Sequence, residues 1–212
     1  MLMLAWNPPH AVFTDAPVEK RALYPDGVLS HRGNYRPPQG IESPAAVYQG
    51  YHAHISAIDE EVGRVLARLE ELDLDRRTIV IYTSDHGAMQ GSFGLTNKRL
   101  PYEESIRIPF LVRAPGLVPP GTRVEALFGA IDMAPTIAGL AGVAPLPGWV
   151  GQDHSPWLRG ERGPEPAGQP IAHILNRRTE HLPPAQRPAP RFRGIRTARW
   201  TYAVRRSAPW LL

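Results

Sequence analysis

Ser84-Asp85-His86-Gly87 directly follows a continuous apolar and β-branched run, Thr78-Ile-Val-Ile-Tyr-Thr83. Ligands of open α/β sheets bind just beyond the carboxyl ends of the strands, so Asp85 and His86 are predicted to stand where such a site forms. A carboxylate oxygen beside an imidazole nitrogen can ligate a divalent cation. Gly87 lets the backbone turn sharply without a Cβ clash. The same four residues would also serve as an Asx-capped turn. Lys98 follows Asp85 by thirteen residues and is one of two lysines, with Lys20, against 22 arginines. Where arginine has replaced nearly every generic surface lysine, a remaining one points to a need for a compact, point-like ammonium. The glycine-containing run 88–98 could fold back over the strand end and bring Lys98 to an anion held on a metal; a solvated loop lysine is the alternative.

The elements that must position these groups are readable from periodicity. Ser43-Pro44 is an N-cap followed by proline at the first helical position. Val47, Tyr51, Ile55, Ile58, Val62, Val65, Leu66, Leu69 and Leu72 fall at steps of three and four, which predicts one helix over about 44–72. His52 and His54 lie on it two residues apart, point in different directions, and read as structural or surface histidines. The run 78–83 lacks alternation, as in a strand covered on both faces of a parallel sheet. Strands are further predicted at 1–6, 108–113 and 123–127. Asp132 is predicted to cap a short helix running to about Ala141, with one more helical turn at 153–159. Residues 11–43 show no period and form a long excursion. Residues 160–170 read as a surface linker, and 171–175, 192–197 and 201–205 as a small antiparallel sheet.

Composition bounds the chemistry. The 212 residues contain no cysteine, which excludes disulfides, thiolate-ligated zinc, iron–sulfur clusters and a thiol nucleophile. Mean hydropathy is −0.28 and no run approaches the length of a membrane span. Residues 1–6 are too short for a signal h-region; any signal would precede Met1, and the compartment is not specified. The net charge of +4 is uneven: residues 173–212 hold nine Arg and one acid, Glu180. That segment reads as an arginine-rich solvated sheet. It lacks the stacking motifs or recognition helix of a nucleic-acid binder, and no nucleic-acid partner is expected.

Several motifs in order resemble the arylsulfatase-type sulfatases of the alkaline phosphatase superfamily. These are Thr83-Ser-Asp-His-Gly87, Gly94-Leu-Thr-Asn-Lys98-Arg, Tyr102-Glu-Glu-Ser-Ile-Arg-Ile-Pro-Phe110 and Ala114-Pro-Gly116. The helix segment Tyr51 to Leu66, Ile131-Asp-Met-Ala-Pro-Thr136 and Pro8-Pro9-His10 are similar to the family as well. The resemblance implies an α/β fold: part of a sulfatase-like sandwich with mostly parallel central strands flanked by helices, plus a small C-terminal antiparallel sheet. Residues 1–160 would be the C-terminal half of a catalytic domain, and 161–212 a linker and the start of a small subdomain. It implies metal-assisted hydrolysis of sulfate esters of a small molecule or sugar. By position, Asp85 and His86 match metal ligands, the second being Asn in many members and His in others. The metal would be a divalent cation, calcium in the family. Lys98 matches the sulfate-binding lysine. His10 matches the histidine that contacts sulfate and protonates the leaving oxygen, and imidazole is the side chain suited to proton transfer near neutral pH.

The family's nucleophile is a formylglycine made from Cys or Ser in a C/S-x-P-x-R motif, and none of the eight serines begins one. The motif, the paired N-terminal carboxylates and the central strands are expected in an N-terminal half of the same protein, which would be this chain's partner. The isolated chain is therefore expected to lack turnover and to expose apolar faces of the long helix and first strand. A phosphonate or phosphodiester hydrolase of the same superfamily and a non-catalytic interaction module are the alternative readings.

Overall fold

A computed structural model describes all residues except 11, 42, 97, 174–190, 206, 207 and 212. The chain divides into two compact units, one of residues 1–75 and 88–97, the other of 76–87 and 98–212.

The first unit is organised on one long helix. After a 3-10 turn at Phe13–Asp15, α1 spans Val18–Arg21 and α2 spans Pro44–Glu71. Ser43 is the N-cap of α2 and Pro44 its first residue, although the serine hydroxyl makes no capping bond. Gly50, Ala53, His54 and Ile58 form the buried face of the helix, at the steps of three and four that stack side chains on one side. Gly50 is required there: a Cβ would collide with the Phe13 carbonyl. The excursion after Phe13 is fastened to α2 through His54 Nε2 and Asp15 Oδ1 at 3.0 Å, Tyr24 Oη and Ser56 Oγ at 2.6 Å, and a Lys20–Glu60 ion pair. Gln49 Nε2 donates to the Tyr24 carbonyl at 2.8 Å. His52 Nδ1 lies 2.9 Å from the Tyr48 carbonyl, so both histidines of the helix are engaged locally. Most of the apolar stripe is only half covered, and Ile55 and Leu72 are exposed.

Residues 1–6 do not form the expected buried strand. They carry no ladder, and Met1, Leu2, Met3, Leu4 and Trp6 are all exposed. Sequence supplies the propensity, but a strand exists only when a neighbour pairs with it, and none does among the described residues.

The second unit holds both sheets. β1 (Val80–Thr83) and β2 (Phe110–Arg113) pair antiparallel, Val80 opposite Arg113 and Thr83 opposite Phe110. Between them lies α3, Glu103–Ile106. β1 was expected to be covered on both faces. Val80, Ile81 and Tyr82 are half-buried and Thr83 is exposed, because β2 is the one strand that pairs with β1 among the described residues. The strand expected at 123–127 is irregular. Next, α4 covers Ala130–Leu140 and α5 covers Ser155–Leu158. The C-terminal sheet has the order β3 (Gln169–His173), β4 (Phe192–Arg196), β5 (Thr201–Arg205), β6 (Ala208–Leu211) and is antiparallel throughout. The α/β class with a small antiparallel C-terminal sheet matches expectation. No parallel pair forms among the described strands: β1 and β2, joined by residues 84–109, pair antiparallel, and so do the strands of the C-terminal sheet.

A buried polar hub ties this unit together. Asp132, 1% exposed, accepts from Gly129 N at 2.9 Å, Gln152 N at 2.8 Å and Gln169 Nε2 at 2.7 Å. The Gly129 bond shows that Asp132 caps α4 from its third position, reaching back to the N-cap backbone. Thr136 Oγ1 accepts from His154 N at 2.9 Å. His154 is buried edge-on against Phe128, and its Nε2 stands 3.7 Å from Asp132 Oδ2, beyond hydrogen-bond range. Burial lowers the His154 pKa from its ordinary 6.5, against smaller raising effects of Asp132 and Asp153. The unfolded chain therefore binds a proton that the folded chain refuses. The stability contributed here is complete above the ordinary pKa and is lost as pH falls below about 6.5. His154→Leu is expected to flatten the fall of urea midpoint between neutral and mildly acidic pH; an unchanged slope would refute the assignment.

Candidate active site

β1 delivers Ser84, Asp85 and His86 at its carboxyl end, where the sequence placed them. Thr83 Oγ1 donates to the Pro109 carbonyl at 2.9 Å, closing the open end of the β1–β2 pair. Ser84 Oγ donates to the His86 carbonyl at 3.0 Å. Asp85 is exposed, with 82% of its side chain open to solvent, and His86 is half-exposed. His86 Nδ1 lies 2.9 Å from the Gly87 carbonyl, and Nε2 lies 3.2 Å from Asp85 Oδ2. A carbonyl can only accept, so Nδ1 carries a proton; Nε2, at ion-pair distance from Asp85 Oδ2, can ligate a metal in the tautomer that leaves it unprotonated. That tautomer is the one a metal-ligating imidazole takes when its other nitrogen donates to backbone. Nε2 and Oδ2 thus converge as two donors suited to one divalent cation. No group of three or more such ligands occurs among the described residues.

Gly87 has a different physical reason from the sharp turn read in the sequence. A Cβ at this position would run into the Glu104 carbonyl, and Gly87 N donates to the Ser105 carbonyl at 2.9 Å. The glycine lets the ligand-bearing segment lie flush against α3. Gly87→Ala is expected to lower the unfolding free energy by about 2 kcal/mol, as overpacking against backbone does. Gly63→Ala, on α2 with open space at its Cβ, is expected to raise it by about 0.5–1 kcal/mol. Urea titration of both variants is the check, and equal effects would refute the packing argument.

Lys98 is half-buried in the second unit and makes no ion pair among the described residues. Its neighbour Arg99 has φ 72°, a left-handed backbone that costs a non-glycine residue energy. The run before it is not a free loop. Within the first unit, Tyr35 and Ser92 form an isolated bridge, Arg36 N donates to the Gly91 carbonyl at 2.9 Å, and Arg32 Nη1 donates to Ser92 Oγ at 3.1 Å. Gly91, at φ 89°, lies so close to the Tyr35 ring that a Cβ would collide with it. His10 belongs to the first unit, in a turn where its N–H donates to the Asn7 carbonyl at 3.1 Å. The structure thus brings Asp85 and His86 together at the end of β1; Lys98 belongs to the same unit and His10 to the other.

Sequence reasoning did not single out the Arg196–Glu103 ion pair, Nε to Oε1 at 2.5 Å, which ties β4 to α3 beside the site. It also missed Gln169 and His154 in the Asp132 hub. Their partners lie tens of residues away, and no local spacing marks them.

These features define an α/β protein with a carboxylate and an imidazole paired at a strand end, and comparison with known proteins gives the family. Residues 1–143 match the sulfatase family and residues 91–203 the N-sulphoglucosamine sulphohydrolase C-terminal family. The chain belongs to the sulfatase family. It is 32% identical to an ulvan-active sulfatase of Formosa agariphila over 95% of this chain and 39% of that one. A solved structure from a study of glycosaminoglycan metabolism by Bacteroides thetaiotaomicron superposes with TM-score 0.83 at 32% identity, covering 99% of this chain and 45% of that one. A second solved structure, of a protein in complex with its substrate D-glucosamine-2-N,6-O-disulfate, superposes with TM-score 0.67 at 29% identity over 76% of this chain and 32% of that one. The chain spans about two fifths of the length of the curated relatives it matches. Among the described residues no helix is long and apolar enough to cross a membrane.

Proposed function

We propose that these residues form the C-terminal part of the catalytic machinery of a sulfatase acting on a sulfated sugar. The observation that carries the reading is the convergence of Asp85 Oδ2 and His86 Nε2, 3.2 Å apart at the end of β1, in a chain of this family. Residues 1–160 are read as catalytic domain and 161–212 as linker and small subdomain. Relatives that act on ulvan or hold a glucosamine disulfate support a sulfated sugar as substrate.

Asp85 and His86 would hold a divalent cation, calcium by resemblance to the family; the carboxylate suits a hard cation of this kind. When bound, that cation supplies positive charge to sulfate oxygens. Lys98 would place its ammonium on another sulfuryl oxygen and stabilise charge as the S–O bond to the sugar lengthens. His10 would give its proton to the departing sugar oxygen, so that the alcohol leaves neutral. The attacking group is proposed to come from sequence outside these 212 residues, which contain no Cys and no S-x-P-x-R segment.

The test is to read the gene upstream of the Met1 codon, express the chain with any in-phase segment there, and assay sulfate release from a sulfated disaccharide, an aryl sulfate and an aryl phosphonate. Sulfate release is expected. Turnover of the phosphonate alone, or no turnover with an upstream C/S-x-P-x-R motif present, would overturn the reading.

A further inference from the structure

The C-terminal sheet has one covered face and one open face. Phe192 and Ala203 are buried on the first. Side chains alternate along a strand, so the second face carries the cross-strand pairs Arg193–Val204 and Ile195–Tyr202. Ile195 is 43% exposed, Tyr202 38% and Trp200, in the turn that joins β4 to β5, 58%. Arg199 lies over the Trp200 ring, 4.7 Å from its centroid. Arg193 and Arg199 are exposed and have no acidic partner among the described residues, whereas Arg196 of the same hairpin is taken by Glu103. No Asp or Glu occurs in β3, β4, β5, β6 or the 197–200 turn.

We propose that this outer face of β4–β5 binds a sulfated polysaccharide, apart from the Asp85-His86-Lys98 site. Four residues of strand separate Arg193 from the start of the turn that holds Arg199, about 13 Å at the rise of a β-strand. Two guanidinium groups are thus offered at separate points along an extended polyanion. Guanidinium matches planar arrays of oxyanion acceptors better than ammonium does. Ile195 and Tyr202 on this face, and Trp200 in the adjoining turn, present exposed apolar surface for the C–H face of a sugar ring. A polymer held here would raise the local concentration of its own sulfate groups without any change at the catalytic centre. The choice of a sulfated glycan among polyanions rests on the proposed activity; the charge and apolar pattern of the face does not.

Binding of the 212-residue chain to dextran sulfate, neutral dextran and duplex DNA of matched charge is the test, with folding of each variant checked by circular dichroism. Dextran sulfate is expected to bind at about 50 mM salt and neutral dextran not at all. Arg193→Ala/Arg199→Ala should weaken the complex at least tenfold and reduce the slope of log affinity against log salt by about two, one per cation removed. Trp200→Ala should weaken it several-fold with little change in slope. Arg64→Ala/Arg68→Ala on α2 should leave it unchanged. Absence of dextran sulfate binding by the parent chain, full binding by the double variant, or equal affinity for DNA would each overturn the proposal. In a form of the protein that releases sulfate, Arg193→Ala/Arg199→Ala should leave turnover of a small aryl sulfate unchanged, so failure of the proposed activity and failure of this face are separable results.

Discussion

Lys98→Ala, introduced into a form of the protein that releases sulfate, is expected to lower kcat/KM by about 10²–10³-fold, the range for removing one preorganised group that stabilises developing charge. Lys98 is half-buried and carries no ion pair among the described residues, so no internal anion is orphaned by the change. The fall should appear in kcat, because negative charge moves from the sulfuryl group onto the departing oxygen as the S–O bond breaks, and a cation fixed beside them acts most strongly in the transition state. Lys98→Arg should not restore the rate, since the wider guanidinium cannot occupy the position of a compact ammonium. Asp85→Ala should produce a comparable loss and should also lessen the response to added calcium. Wild-type rates in Lys98→Ala would remove the lysine from the mechanism. Recovery by arginine would reduce its role to long-range charge.

The largest stability effect is expected at Asp132. Its carboxylate satisfies two backbone N–H groups and the Gln169 side chain while nearly inaccessible itself. Asp132→Ala strands all three donors, and each buried orphan costs about 1–3 kcal/mol. Gln152 is exposed and water can serve its N–H, so a total of about 3–4 kcal/mol is expected, a large part of the 5–15 kcal/mol typical of a domain. Asp132→Asn keeps one acceptor but turns an NH2 toward a donor, and should cost roughly half as much. Coupling should be visible too. In the Asp132→Ala background, Gln169→Ala should cost much less than in the parent, because the two side chains act as one unit. Additive losses in urea unfolding would show that the hub is a set of independent contacts.

The parts of the molecule that could be read from sequence are those whose cause is local. The spacing from Val47 to Leu72 and the Ser43-Pro44 start yield α2 to within a residue or so. The run 78–83 yields β1, and Ser84 to Gly87 the turn that ends it. Residues 1–6, apolar throughout, and 123–127, which alternate with Arg123 and Glu125, form no strand, since pairing is decided by a neighbour rather than by the segment itself. Asp132 was legible as a cap because the helix start lies beside it. Its bonds to Gln152 and Gln169 were not, because they join residues 20 and 37 positions apart. Gly87 was legible as a place where a Cβ would clash, but what it would clash with was not: the Glu104 carbonyl that crowds it is a property of the fold. Asp85 and His86 carry a local signal, while the places of Lys98 and His10 in a common site came from family resemblance.

Gln90 at φ 43°, Phe93 at φ 56° and Arg99 at φ 72° all hold left-handed backbone in the stretch around Lys98. Such positions tolerate Gly, Asn or Asp and resist Val, Ile or Thr. Evolutionary drift in this stretch is therefore channelled. The side chains at 90, 93 and 99 can shrink or become amides while the path of the chain is inherited. Variants that acquire a branched residue there must first acquire a new loop.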